Sequence, residues 1–179
     1  MPRLFVGFPV ADQTVEAIVG LQSGLENARW VAPNDFHVTL RFIGNVDGDV
    51  AADIDEALAE ITASPVSIQP SGLGAFGKDK PRSVHAMVAH DPALMTLRSR
   101  IERAIQESGL APERRKFQPH ITVARLGRTP APSVTEWLSD RGGDALPGYT
   151  AHTIALYSAN SSRGGGPYRI EATVPLIGG

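Results

Sequence analysis

Two short segments of this chain alternate so regularly that they decide most of what it can become. FHVTLRFIG (Phe36 to Gly44) and HITVARLG (His120 to Gly127) place a hydrophobic side chain at every second position over most of their length. In a β-strand the side chains at i and i+2 share a face. Val38, Leu40 and Phe42 therefore point one way, while His37, Thr39 and Arg41 point the other. The second segment repeats the pattern, with Ile121 and Val123 opposed to His120 and Thr122. One face of each strand must be covered by apolar structure, and the other, bearing His-x-Thr, is too polar to be core. Such strands belong to a sheet with helices on one side and an open surface on the other.

The rest of the chain supplies the helices. Asp12 is read as the cap of a first helix with Val15, Ile18, Val19 and Leu25 on its apolar stripe. Asp47 or Asp49 opens a second, carrying Val50, Ile54, Leu58 and Ile61. Asp91-Pro92 begins a third through Leu94, Leu97, Ile101, Ala104 and Ile105, stopped by Gly109. A short fourth helix is expected around Val134 to Leu138. Further strands are expected at Leu4 to Val10, at Val66 to Phe76 (interrupted by glycine), at Ser83 to His90, at Tyr149 to Ala159 and at Tyr168 to Ile177. The class is α/β or α+β. Each half of the chain holds helices and one His-x-Thr strand, which predicts two similar lobes facing each other. No long linker divides residues 1–179, so they are expected to form a single bilobal domain.

Charge and cysteine content narrow the function. The formal net charge is −2, so a partner that wraps long duplex nucleic acid is excluded, because such binding rests on a basic excess. A nucleic-acid partner must be small or be met by a local basic patch. With no cysteine there are neither disulfides nor thiolate metal sites. The apolar run Leu4 to Val10 is too short to span a bilayer, and the expected location is the cytoplasm, away from membranes.

The polar faces suit phosphoryl chemistry. Histidine titrates near neutrality, so one imidazole can take a proton while a second gives one. Opening a cyclic phosphodiester needs both acts, on water and on the departing ribose oxygen. Threonine hydroxyls beside each histidine can donate hydrogen bonds to the non-bridging oxygens as charge grows there. With two histidines converging, no cysteine, and no carboxylate in either motif, no metal and no cofactor are expected.

FHVTLRFIGNV and QPHITVAR resemble the paired motifs of the two-histidine (2H) phosphoesterases. Within these, the chain is most similar to the bacterial and archaeal RNA 2′,3′-cyclic phosphodiesterases, once called 2′-5′ RNA ligases. The opening RLFVGFPV and the late LYSANSSRGGGPYRI follow the same plan. The resemblance implies an α+β, bilobal fold: two pseudo-symmetric lobes of mainly antiparallel sheet, helices outside, and the tetrad His37, Thr39, His120 and Thr122 in a central cleft. It implies hydrolysis of RNA or nucleotide 2′,3′-cyclic phosphate ends to 2′-phosphomonoesters, with a minor 2′-5′ joining activity by reversal. His37 takes the place of the proton donor to the 3′ oxygen, and His120 that of the acceptor activating water. Arg125 matches a basic position of the second motif. Ala159 and Asn160 stand where relatives commonly place serine followed by arginine.

Around the tetrad other readings remain. Arg41 shares the His37 face by strict alternation, as a substrate contact or a solvated arginine. Arg125 falls opposite His120 unless the strand twists, so a phosphate contact and an ordinary ion pair both stand. Phe8 and Tyr168 are candidates to stack on a base, whereas Trp30 is read as core. His85, His90 and His152 carry no motif and are read as structural or exposed. Arg114, Arg115 and Lys116 form a basic loop that either is merely solvated or guides RNA. The glycines of SSRGGGP either make a turn or offer backbone N–H groups to phosphate. Because two lobes already supply the symmetry, a monomer is expected.

Overall fold

A computed structural model describes residues 3–160 and 165–178. The part of the SSRGGGP loop from Ser161 to Gly164 lies outside the described residues. In chain order the elements are β1 (Arg3–Pro9), α1 (Asp12–Val19), β2 (Ala28–Trp30), β3 (His37–Asn45), α2 (Gly48–Ala59), β4 (Val66–Ile68), β5 (Pro70–Phe76), β6 (Ser83–Val88), α3 (Pro92–Glu107), β7 (His120–Leu126), α4 (Ala131–Arg141), β8 (Tyr149–Ala151), β9 (Thr153–Ala159) and β10 (Tyr168–Pro175).

The main sheet runs β10-β9-β1-β3-β7-β6-β5, with β2 paired to the far end of β7, and β4 and β8 form a separate two-stranded ribbon. Every pairing is antiparallel. One lobe consists of β10, β9, β1 and β3, the other of β7, β6 and β5, and the two His-x-Thr strands meet at the seam. The fold is the expected α+β, bilobal one.

Val38, Leu40, Ile121 and Val123 are almost wholly buried. Each contributes about 1.5–3 kcal/mol relative to exposure. A one-residue slip of either strand would bring these side chains to the open face and bury histidine, so the hydrophobic set fixes which face the motifs occupy. α3 closes the core under β3 with Leu94, Leu97, Ile101 and Ile105, and its start is capped by Asp91 accepting from the Ala93 and Leu94 amides. Gly109, at φ +95, ends it as expected, since a side chain there would be strained.

Several boundaries differ from the sequence reading. Ala11, not Asp12, is the N-cap of α1, which stops at Val19; Val19 is exposed, and Leu25 reaches the core from the following turn. Asp12 still favours the helix as an acid in the first turn. The expected strand Val66 to Phe76 is two strands in different sheets, as is Tyr149 to Ala159. β2 has too short and mixed a pattern to be visible, and is held by β7.

Candidate active site

Between the lobes β3 and β7 share a single paired position, Val38 with Ile121. These are the central residues of the two His-x-Thr motifs. In an antiparallel pair that register sets His37 across from Thr122, and Thr39 across from His120, all four on the face opposite the core. Strand spacing and rise put the two histidine Cα atoms roughly 8 Å apart on the diagonal. The pseudo-twofold axis passes between Val38 and Ile121, so the motifs approach one another by symmetry.

Both imidazoles are oriented alike. His37 Nδ1 lies 2.8 Å from the Asp35 carbonyl and His120 Nδ1 lies 2.7 Å from the Gln118 carbonyl. A carbonyl only accepts, so Nδ1 carries the proton in each ring and Nε2 is left with its lone pair. Neither the Thr39 nor the Thr122 hydroxyl has a hydrogen-bond partner among the described residues. Two lone pairs and two uncommitted hydroxyls thus share one face.

Immediately beyond each motif a bulge redirects the side chains. β1 pairs Gly7 with Thr39 but Val6 with Arg41, leaving Leu40 as the extra residue. β6 pairs His85 with Thr122 but Val84 with Ala124, leaving Val123 extra. An extra residue on one strand reverses the alternation that follows it. The consequences are opposite for the two arginines. Arg41 turns away from the tetrad, is 6% exposed, and is consumed by the Glu102 carboxylate at 2.5 Å, the Ala111 carbonyl at 2.6 Å and the Phe42 carbonyl. The reading of Arg41 as a substrate contact is therefore corrected: it is a buried structural ion pair. Arg125 turns onto the tetrad face and lines a cavity of 240 Å³ with His37 and Thr39. Its Nη2 donates to the Tyr168 hydroxyl at 3.0 Å.

Tyr168 lines the same cavity, its ring edge-on to His37 at 5.0 Å, and its amide donates to the Asp35 carboxylate at 3.0 Å. That carboxylate lies where a Cβ on Gly166 would sit, so a side chain there would have to displace it from the Tyr168 amide. Phe8 is fully buried in the core beside β3, which overturns its reading as a base-stacking residue. Trp30, read as core, is half-buried and packs against the edge of the core, its ring 6.3 Å from that of Trp137. Ala159, at the departure from the family pattern, lines the Arg125 cavity opposite Arg3.

Sequence reasoning missed three groups here. Phe5 packs on His37 at 4.7 Å between centroids, Phe42 reaches the cleft only because of the bulge, and His85 sits 5.0 Å from His120. His85 directly opposes Thr122 in β6, which motif spacing alone does not reveal. It is buried, stacked on Phe76 at 4.2 Å, and its Nδ1 has no hydrogen-bond partner among the described residues. Gly74 makes the room for it, since a Cβ there would come within 2.9 Å of His85 Nε2.

All three imidazoles are less basic than free histidine. Burial lowers His37 to about 4, aided by the positive charge of His120 and Arg125 and opposed by the Asp35 carbonyl and carboxylate. Burial, and then the neighbouring His120, lowers His85 to about 4. His120 is lowered by burial and Arg125, against its bond to Gln118. At neutral pH the unliganded cleft therefore holds neutral imidazoles beside the cationic Arg125, an environment that favours an anion. Among the described residues no three His, Cys, Asp or Glu side chains converge as metal ligands, and no helix is long and apolar enough to cross a membrane.

Two His-x-Thr strands meeting on a pseudo-dyad define a two-histidine phosphoesterase. Residues 10–163 match the model of the 2′-5′ RNA ligase superfamily, and the chain belongs to that family. It is 36% identical over 142 residues to an RNA 2′,3′-cyclic phosphodiesterase of Aeropyrum pernix, covering 78% of this chain and 81% of that protein. A protein of the same name from Bacillus subtilis is 32% identical over 130 residues, 69% of this chain and 71% of that one. Among solved structures, E. coli LigT complexed with 3′-AMP superimposes with a TM-score of 0.76 at 21% identity, over 98% of this chain and 99% of that one, a likeness of fold.

Proposed function

We propose that this chain hydrolyses 2′,3′-cyclic phosphate on RNA or nucleotide ends to a 2′-phosphomonoester. The observation that carries the reading is the Val38–Ile121 pairing, which sets His37 and His120 on one face of the sheet, each with Nδ1 committed to a backbone carbonyl and Nε2 left for chemistry. The names of the relatives support the substrate class.

In this reading the phosphate lies between the histidines. His120 Nε2 takes a proton from water, the water oxygen bonds to phosphorus, and the P–O3′ bond breaks. His37, protonated on Nε2, delivers its proton to O3′. Thr39 and Thr122 donate to the non-bridging oxygens, and Arg125 balances their charge. The depressed basicity of His120 suits a base that is neutral at pH 7. His37 is also neutral in the empty cleft, so its proton arrives with the substrate: the phosphate anion stabilises the imidazolium that burial and Arg125 disfavour. With a 5′-hydroxyl in place of water, the same steps form a P–O5′ bond as P–O3′ breaks and join ends through a 2′-5′ link, a minor outcome against water at its bulk concentration.

The test is a product assay on cyclic-phosphate-ended RNA in excess EDTA. Hydrolysis should persist, with phosphate retained on the 2′ oxygen. His37→Ala and His120→Ala should each lose about 10²–10⁴-fold in kcat, the usual contribution of a positioned acid or base. Parent-like turnover by either variant refutes the proposal, and retention on the 3′ oxygen reverses the leaving group.

A further inference from the structure

Beyond His120 the cleft continues into a groove of about 550 Å³ whose lining begins with Thr39 and His120 themselves. Arg41, Arg82, Arg98, Arg115 and Lys116 border it with the Glu113 carboxylate, and of these Arg41 and Arg98 share the Glu102 carboxylate, at 2.5 and 3.8 Å. On a chain of net charge −2 that is a concentration of positive charge in one place. Glu113 is already neutralised by Arg115, through Nη2 at 2.9 Å and Nε at 3.2 Å. Arg82 and Lys116 are exposed and have no ion pair or side-chain hydrogen bond among the described residues.

Aromatic surface is interleaved with this charge. The Arg98 guanidinium lies over Phe117 at 5.2 Å, and that of Arg115 over Phe42 at 5.9 Å. Planar faces in one groove with Arg82 and Lys116, which have no side-chain partner among the described residues, suit a strand of phosphates with unstacked bases. A duplex requires many phosphate contacts over a broad basic face, which two unpaired cations on a chain of net charge −2 do not supply.

We propose that this groove holds the nucleotides adjoining the cyclic end, so that the enzyme selects single-stranded oligonucleotide ends over mononucleotides. The proposal rests on the function proposed above. Arg82 and Lys116 contact backbone phosphates, while Phe117 and Phe42, backed by their arginines, give bases a surface to stack on.

The experiment compares kcat/KM for 2′,3′-cyclic AMP and for a single-stranded hexanucleotide with a cyclic end, across a salt series, in the parent and in R82A/K116A. The parent should favour the hexanucleotide by about tenfold or more at low salt, and lose that advantage as salt rises. The double variant should lose most of the advantage while hydrolysing the mononucleotide as the parent does. Its log–log salt slope for the hexanucleotide should be shallower by about 1.4, for two lost single-strand phosphate contacts. The charge-conserving R82K/K116R should keep the preference. Equal rates for both substrates in the parent, or equal losses on both in R82A/K116A, overturn the groove and leave the hydrolase reading standing. A parent inactive on both substrates overturns that reading, and the groove with it.

Discussion

The buried His85 makes a measurable prediction about stability. Its imidazole is 4% exposed, lies against Phe76 and His120, and is lowered from 6.5 to about 4. In the unfolded chain the ring regains its ordinary basicity, so between those values the unfolded state binds more protons and stability must fall as pH falls. The loss begins near the unfolded value and is complete below the folded one. Linkage gives about 2 kcal/mol from this one group between pH 7.5 and pH 5.0. His85→Phe removes the titration, keeps an aromatic ring against Phe76 in the room left by Gly74, and abolishes the unpartnered Nδ1. At pH 7.5 it should be as stable as the parent or more so, because an unsatisfied buried polar atom costs about 1–3 kcal/mol. Urea unfolding of both proteins at the two pH values gives the difference directly, and contributions shared by both, such as that of His37, cancel. The parent should lose about 2 kcal/mol more than the variant on acidification, or about 4–8 °C in Tm for a chain of this size. Equal losses in parent and variant would show that His85 is not held neutral by its surroundings.

The two arginines separate structure from binding. Arg41→Ala should destabilise by about 3 kcal/mol, since it removes the shorter of the two ion pairs of the buried Glu102 and leaves only Arg98 at 3.8 Å, and should leave KM near the parent's; a melt and a steady-state assay decide it. Arg125→Ala should leave Tm nearly unchanged and weaken inorganic phosphate binding about tenfold or more, measured by calorimetry. Calorimetry of phosphate binding at pH 7 in buffers of different ionisation heat should also register proton uptake, as the anion recharges an imidazole; no net uptake refutes the protonation order given for His37. Because both cleft histidines are lowered, the kcat/KM optimum should lie below pH 6.5, and an optimum above pH 7 counts against their neutrality in the empty site.

The sequence by itself determined the strands that bear the tetrad, their buried and open faces, and the helix stripes that cover them. These follow from local rules: a period of two puts His37 and Thr39 together, and Val38 and Leu40 beneath, whatever their neighbours are. It also carried the family, because both motifs are contiguous in the chain. What happens past the first bulge was decided by tertiary structure. Whether Leu40 and Val123 are extra residues depends on β1 and β6, distant in sequence, and that pairing sends Arg41 into an ion pair and Arg125 into the cleft. His85 beside His120 and Tyr168 beside His37 are likewise neighbours from different strands, brought together only by the sheet order. Alternation is a property of one strand, but register belongs to two, and a single chain segment holds no record of its partner.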